Sequence, residues 1–235
     1  MKIPLPPPQI QQQIVDECEA VDRGTDQAHQ TITATKQQIE EKAEVVINAG
    51  YKIKKIGDVY NTTSGGTPLS SKKEYYENGT IPWINSGEVS KKEINFADNF
   101  ITELGLNNSN AKLFPSGTVL LAMYGATAGK VALLNIKAST NQALCALLPT
   151  DEMVPKFLVL VLEAMYQDLL NMRTGIARDN LSQEKIKNIK IPIPPLDIQQ
   201  RLAAEVEQLE AKITEAQAMI DKAAEHKNAI LTKYL

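Results

Sequence analysis

The residues that could do chemistry are few, and their types and spacing favour binding over catalysis. Gly125-Ala-Thr-Ala-Gly-Lys130 has the glycines and the lysine of a phosphate-binding loop. Its spacing differs from GxxxxGK followed by Ser or Thr, however, and a strand-like run follows it instead of a helix. His29 and His226 lie among charged neighbours, and no close carboxylate pair, metal-ligand set or cofactor fingerprint is present. We therefore expect no catalysis by this chain, no cofactor and no metal site.

Composition limits the classes of protein to which the chain can belong. Its 235 residues are 43% hydrophobic, which is enough for a folded core. No apolar stretch approaches the roughly 18 to 20 residues of a membrane helix, and the opening MKIPLPPP lacks the basic and apolar regions of a signal peptide. We therefore expect a folded cytoplasmic protein. Cys18 and Cys145 have neither CxxC nor Cys/His spacing and are predicted to be small buried residues.

Charge is distributed unevenly along the chain. The net charge of −3 argues against binding of nucleic acid by bulk electrostatics alone. Residues 51–189 hold 15 Lys and Arg against 13 Asp and Glu, about +2, whereas 1–50 and 190–235 together hold 10 against 15, about −5. An anionic partner would therefore bind the middle of the chain.

The elements that must position any binding residues are organised around an internal repeat. The segment Lys2-Ile-Pro-Leu-Pro-Pro-Pro-Gln-Ile-Gln-Gln-Gln-Ile14 returns as Lys190-Ile-Pro-Ile-Pro-Pro-Leu-Asp-Ile-Gln-Gln-Arg-Leu202. Over residues 2–21, ten of twenty positions are identical to those 188 residues later. Proline holds the chain extended and restricts the residue before it, so each copy is predicted to end a strand and start a helix.

Both segments after the prolines carry apolar or small residues at spacings of three and four. Such seams predict long coiled-coil-type helices of about 35 to 40 residues, or about 50 to 60 Å at roughly 1.5 Å per residue. Gly24 and nearby threonines should weaken the first helix. Either the two helices bury each other and a partner, or each packs on its own globular domain. The seam residues are Ile14, Val21, Ile32 and Ile39 in the first helix, and Ile198, Leu202, Val206, Leu209, Ile213 and Ile220 in the second.

The middle of the chain reads as a mixed α/β domain with short strands and frequent turns. Ile81-Pro-Trp-Ile84 is interrupted by proline and suits an edge strand. Thr118-Val-Leu-Leu-Ala-Met-Tyr124 and Val131-Ala-Leu-Leu134 are predicted to form a hairpin. Residues 154–171 are predicted to form a helix, and Arg173-Thr-Gly-Ile-Ala-Arg178 a basic loop. The predicted fold is α+β.

A series of short motifs runs through the chain in a fixed order. The order resembles that of specificity subunits of type I restriction-modification systems, in a half-length form with one target-recognition domain, and the resemblance covers almost the whole chain. The motifs are Gly65-Gly-Thr-Pro68, Ile81-Pro-Trp-Ile84 with Ser86-Gly87, Tyr124-Gly-Ala-Thr-Ala-Gly-Lys130, Thr140-Asn-Gln142, Leu181-Ser182, and Ile191-Pro-Ile-Pro-Pro195 with Gln199-Gln200.

The resemblance implies a division of the chain and a set of partners. It implies an N-terminal spacer helix over 1–50, a DNA target-recognition domain over 51–189 and a C-terminal spacer helix over 190–235. Each recognition domain of the family reads one half of a bipartite DNA site. Methyltransferase subunits flip out an adenine and methylate its N6 with S-adenosylmethionine, and a translocating nuclease subunit adds restriction. The cofactor is thus expected in the partner and not in this chain.

The candidates for contact with DNA are chosen by the chemistry of the loop residues. Sequence readout needs donors and acceptors at base edges, whereas lysine and arginine on nearby loops hold phosphates. Gly65, Gly66, Trp83, Asn141 and Gln142 are expected to shape the domain rather than read bases. The residues predicted to contact bases or grooves are Ser70, Ser71, Tyr124, Thr127 and Asn180, and those predicted to contact phosphates are Lys72, Lys73, Lys91, Lys92, Lys130, Arg173 and Arg178.

Two questions stay open from the sequence. Full specificity subunits of this family carry two recognition domains, so the chain is either a half-length subunit that pairs with itself or a fragment of a longer chain. The rival interpretation of its function is a coiled-coil adaptor or scaffold that binds protein partners without DNA. Salt-dependent affinity for DNA separates the two functions.

Overall fold

A computed structural model describes residues 5–172 and 180–234 and confirms the α+β prediction. The backbone divides into two compact units, one made of 1–42 with 204–235 and one of 43–203. The helices are α1 (Pro8–Asn48), α2 (Ile56–Val59), α3 (Glu103–Asn107), α4 (Pro155–Ala164), α5 (Tyr166–Asn171), α6 (Gln183–Lys187) and α7 (Leu196–Tyr234). The strands are β1 (Ile53–Lys55), β2 (Thr62–Ser64), β3 (Ile81–Ile84), β4 (Glu93–Ile94), β5 (Phe100–Ile101), β6 (Leu113–Phe114), β7 (Thr118–Ala122), β8 (Val131–Leu134), β9 (Ala138–Thr140), β10 (Leu144–Leu147) and β11 (Lys190–Pro192).

The helical unit is an antiparallel pair formed by most of α1 and α7. Lys42 forms an ion pair with Glu205 at 2.5 Å, and Lys233 near the other end of α7 forms one with Glu17 at 2.9 Å, which fixes the direction. Pairs this exposed contribute little each, so burial of the seam provides most of the stability. Its centre consists of Ala28, Ile32 and Ala216, with Ile213 and Ile220 packed against them.

The first helix runs without a break through Gly24, although glycine is a poor helix former. A Cβ built at Gly24 meets no atom within 4 Å, so the position has room for a side chain. Nearby, Thr25 Oγ1 donates a hydrogen bond of 2.9 Å to the carbonyl oxygen of Val21, which satisfies this hydroxyl within the helix.

We expect Gly24→Ala to raise the free energy of unfolding by about 1 kcal/mol, because alanine loses less backbone entropy than glycine in a helix. Urea unfolding followed by circular dichroism measures the change. Ala20→Gly, one turn earlier in the same helix, is the matched control and should lower the free energy by a similar amount. A decrease for Gly24→Ala would contradict the open space seen at this position.

The globular unit is built around a five-stranded sheet of order β2-β10-β7-β8-β4. Successive residues of β7 point to opposite faces, and both faces are buried. Val119 and Leu121 pack in a cluster with Phe157 and Val161 of α4, whereas Leu120 and Ala122 pack in a second cluster on the other side. The run of apolar residues in β7 is explained by this two-sided burial. The predicted hairpin is confirmed, with Leu121 opposite Val131.

A second sheet of order β5-β3-β9-β6 carries the tryptophan motif. The prediction of an edge strand at Ile81–Ile84 is wrong, because β3 lies between two neighbours. β5 pairs with Ile81 and Pro82, and β9 pairs with Trp83 and Ile84. The ladder with β9 begins at Trp83, after Pro82, so the missing N–H of Pro82 interrupts no hydrogen bond on the β9 side.

The predicted helix over 154–171 is interrupted. The backbone at Met165 has φ −83° and ψ 9°, outside the α-helical region, so α4 ends before this residue and α5 starts after it. Among the described residues, no helix is long and apolar enough to cross a membrane.

The second copy of the repeat is held within the globular unit by one buried glutamine, Gln199. β11 pairs antiparallel with β1, and Gln199 follows in the first turns of α7 with no exposed surface. Its Oε1 accepts a hydrogen bond of 2.8 Å from the amide of Val154, and its Nε2 donates to the carbonyl oxygens of Pro194 at 2.8 Å and Glu152 at 3.1 Å. The Gln199 carboxamide therefore joins the proline segment before α7 to the residues just before α4.

Candidate nucleic-acid interface

The tip of the β7–β8 hairpin is the loop 123–130, which exposes polar side chains. Gly125 and Gly129 have φ of 81° and 83°, a conformation in which glycine is favoured. Tyr124 and Thr127 are half-buried and Lys130 is exposed. The structure therefore groups these three predicted contacts at one tip, next to the two glycines that form it.

The tip contacts the segment that carries two more predicted phosphate contacts. Lys130 Nζ donates to Ser90 Oγ at 3.3 Å, and Ser90 precedes Lys91 and Lys92. Both of these lysines already have carboxylate partners. Lys91 Nζ lies 2.7 Å from Asp98, which raises the pKa of the lysine, and Lys92 Nζ lies 2.9 Å from Glu163. Their charges are thus partly compensated, whereas Lys130 has no ion pair within the described part of the chain.

Asn180 lies beside the same hairpin. The amide of the next residue, Leu181, donates a hydrogen bond of 2.8 Å to the carbonyl oxygen of Met123, which immediately precedes Tyr124. Asn180 is half-buried. Arg173 and Arg178, two further predicted phosphate contacts, lie outside the described residues.

Ser70, Ser71, Lys72 and Lys73 form a separate group. The two serines are exposed in a turn closed by a hydrogen bond of 3.0 Å from the amide of Lys72 to the carbonyl oxygen of Leu69. Lys72 Nζ lies 5.0 Å from the ring centroid of Tyr75 and donates to its hydroxyl at 3.1 Å, which raises the pKa of the lysine. No hydrogen bond among the described residues joins these four side chains to the hairpin tip.

A network of polar side chains, which the sequence did not reveal, joins the loops that carry Thr67, Asn85 and Asn141. Asn141 Oδ1 accepts from the amide of Ala143 at 3.1 Å, and its Nδ2 donates to Asn85 Oδ1 at 3.3 Å. The hydroxyl of Thr67 donates to Gln142, and both side chains are exposed. Asn141 thus shapes the loop, as expected, whereas Gln142 presents an amide to solvent. The Thr140-Asn-Gln142 motif was the signal that could have identified Gln142 as an exposed polar group.

Among the described residues of these loops, the exposed groups suit binding rather than catalysis. Burial raises the pKa of the Cys145 thiol to about 12, so this cysteine is a packed hydrophobic residue and not a nucleophile. Within residues 5–172 and 180–234, no group of three or more His, Cys, Asp or Glu side chains could hold a metal ion. The exposed amides, hydroxyls and ammonium groups are hydrogen-bond donors and acceptors that suit base edges and phosphates.

Solved structures share this fold. The HsdS subunit from Thermoanaerobacter tengcongensis matches with a TM-score of 0.68 over 99% of this chain and 59% of that chain, at 23% sequence identity. At this identity the likeness concerns the fold alone.

Sequence comparison gives the family. The Escherichia coli type I restriction enzyme EcoR124I/EcoR124II specificity subunit is 29% identical over 154 residues, which are 63% of this chain and 38% of that protein. The MjaIX specificity subunit of Methanocaldococcus jannaschii is 30% identical over 158 residues, 65% of this chain and 36% of that protein. The matches thus span less than two fifths of these relatives. The family model of the type I restriction modification DNA specificity domain matches residues 48–223. The resemblance seen in the motifs is therefore confirmed, and the chain belongs to the family of type I restriction-modification DNA specificity domains.

Proposed function

We propose that the chain reads DNA sequence for a type I restriction-modification complex, its globular unit reading one half of a bipartite site. The observation that carries this proposal is the family match over residues 48–223, which includes every loop that presents the exposed polar groups described above. The tip with Tyr124, Thr127 and Lys130 would enter a groove, with Asn180 and Gln142 beside it. The place of action would be the cytoplasm.

The chemistry on DNA would belong to partner subunits. We propose that the helices and the globular unit recruit methyltransferase subunits, which bring S-adenosylmethionine and methylate adenine at N6, and that a nuclease and translocase subunit joins for restriction. The solvent-facing side of α7 offers exposed apolar surface for such contacts, for example Met219 with 57% of its surface exposed. A working reader would contain two recognition domains, and self-pairing of this chain through its helices is one way to supply the second.

Selection from a random-sequence duplex library tests the reading function. The purified chain, with its methyltransferase partner, should enrich a short motif, and its affinity should fall steeply as salt rises, because each phosphate contact releases counterions. Unchanged affinity across the salt range and no enriched motif, with partner binding intact, would instead support the coiled-coil adaptor. Light scattering on the chain alone tests self-pairing, since a stable monomer would exclude it.

Lys92 forms an ion pair, whereas Lys130 forms none among the described residues, and this difference gives a second prediction for the binding surface. We expect Lys130→Gln to reduce the slope of log affinity against log salt by about 1, the loss of one phosphate contact. The matched variant Lys92→Gln should change the slope by less than about half as much, because Lys92 pairs with Glu163 at 2.9 Å. Fluorescence anisotropy with a labelled duplex measures both slopes. Equal slopes for the two variants would show that the ion pair opens when DNA binds.

A further inference from the structure

The carboxyl ends of β3 and β9 bring three side-chain amides together, those of Asn85, Asn141 and Gln142. The two strands are parallel neighbours, so Asn85, which follows β3, lies beside Asn141, which follows β9. The backbone amide of Asn141 donates to the carbonyl oxygen of Ile84 at 2.9 Å, and the buried carboxylate of Glu88 accepts from the backbone amide of Asn85 at 3.0 Å. The globular unit therefore holds the backbone of both asparagines in place.

The direction of the two asparagine side chains follows from one backbone N–H. The amide of Ala143 can only donate, so the Asn141 atom that lies 3.1 Å from it is the side-chain oxygen. The Nδ2 of Asn141 then points to Asn85, and its acceptor at 3.3 Å is Asn85 Oδ1. The group left at the end of this series is Asn85 Nδ2, which donates no hydrogen bond within the described residues.

Gln142 is oriented in the same sense. Its Oε1 accepts from the hydroxyl of Thr67, and its Nε2 makes no hydrogen bond to any described residue. The loop that carries Thr67 is tied to the domain, because the Gly66 amide donates to the carbonyl oxygen of Thr140 at 2.9 Å. In both Asn85 and Gln142, the oxygen thus has a protein donor, whereas the NH2 group has no acceptor in the part of the chain that the structure describes.

Neutral donors with a fixed direction select the pattern of acceptors that they meet. In the major groove, guanine presents two neighbouring acceptors, N7 and O6, whereas adenine presents one acceptor and one donor. Phosphate oxygens are also acceptors, and asparagine and glutamine side chains bind them in protein–DNA complexes. An amide whose oxygen is bonded and whose NH2 group is free therefore suits guanine or phosphate better than adenine.

We propose that Asn85 and Gln142 form a donor pair that binds hydrogen-bond acceptors of DNA, either N7 and O6 of guanine or phosphate oxygens. Asn141 and Thr67 are positioning residues, because they hold the oxygens of the two amides and so leave the NH2 groups for DNA. The proposal rests on the proposed function, which brings DNA to these loops, and it specifies which atoms of DNA the two amides select.

Asn85→Asp tests the donor while keeping its oxygen. The carboxylate can still accept from Asn141 Nδ2, but it has no N–H to donate. The matched variant is Asn95→Asp, because Asn95 Oδ1 also accepts from an asparagine, Asn135 Nδ2 at 2.9 Å, and the added charge is the same. The probe is the duplex enriched in the library selection, bound by the chain with its methyltransferase partner. We expect Asn85→Asp to weaken binding at least about tenfold and Asn95→Asp less than about threefold, as measured by fluorescence anisotropy.

Gln142→Met distinguishes the two sources of acceptors, because methionine has a similar length and no N–H. Each guanine of the duplex is replaced in turn by 7-deazaguanine, and each phosphate by a methylphosphonate. If guanine is the source, one 7-deazaguanine weakens binding by the parent protein but not by the Gln142→Met protein. If phosphate is the source, one methylphosphonate has this effect, and the selected motif is unchanged in the variant. Either result supports the donor pair.

Three results would overturn the proposal. The first is an equal loss of affinity for Asn85→Asp and Asn95→Asp, and the second is a Gln142→Met protein that remains sensitive to every DNA substitution. The third is an adenine whose replacement by purine, which lacks the N6 amino group, weakens binding by the parent protein but not by Gln142→Met, because that contact needs the amide oxygen. In all three cases the parent protein still binds DNA, so the proposed function stands. A parent protein that binds no duplex would remove the proposed function and the donor pair together.

Discussion

Gln199→Ala is expected to lower the free energy of unfolding of the globular unit by about 3 kcal/mol. The substitution removes a side chain with no exposed surface and leaves three backbone groups, the amide of Val154 and the carbonyls of Glu152 and Pro194, without their hydrogen bonds. A buried group that loses its partner costs about 1 to 3 kcal/mol. Urea unfolding followed by tyrosine and tryptophan fluorescence measures the loss, because Trp83 lies in this unit.

The chain provides its own controls for this prediction. Gln200→Ala, at the next and exposed position, should change the free energy of unfolding by less than about 0.5 kcal/mol. Gln11→Ala, the equivalent residue of the first repeat, should cost under about 1 kcal/mol, because its carboxamide makes one side-chain bond and is half-buried. If Gln199→Ala cost no more than Gln200→Ala, the Gln199 carboxamide would not hold the proline segment before α7 on the globular unit.

The repeat and the local patterns were readable from the sequence because they depend on nearby residues. Proline and the spacing of apolar positions act within one element, and they correctly indicated the long helices and the β7–β8 hairpin. The hairpin prediction also placed Tyr124, Thr127 and Lys130 at one tip. Local rules therefore sufficed for the two long helices, for the β7–β8 hairpin and for the candidate residues that its tip carries.

Features that depend on distant partners were not readable in the same way. The proline in β3 indicates an edge strand, yet β3 is an inner strand because β9, more than fifty residues later, pairs with its second half. The link between Thr67 and Gln142 joins loops 75 residues apart, and the ion pair of Lys92 with Glu163 joins residues 71 apart. A single sequence does not show which carboxylate forms an ion pair with a given lysine. Lys91, Lys92 and Lys130 were therefore predicted alike as phosphate contacts.

Gly65→Ala is expected to have a comparable effect on stability and an additional effect on the binding surface. A Cβ at Gly65 would overlap the carbonyl oxygen and the hydroxyl of Thr140, both held in place by β9. The loop would have to move away, which breaks the bond of 2.9 Å from the Gly66 amide to Thr140 and disturbs that of 3.0 Å from Trp83 Nε1 to the Gly66 carbonyl. We expect a loss of about 3 kcal/mol or more, measured by urea unfolding.

Gly87→Ala is the matched control, because a Cβ at Gly87 meets no atom within 4 Å. The unfolding curve of the Gly87→Ala protein should therefore be nearly unchanged. The loop that Gly65 anchors also carries Thr67, the partner of Gln142. Folded Gly65→Ala protein, at a urea concentration below its transition, should therefore enrich a weaker motif in the library selection, whereas Gly87→Ala should enrich the parent motif. Lost stability with an unchanged motif would mean that the Thr67–Gln142 pair lies outside the DNA-reading surface and that the hairpin tip reads without it.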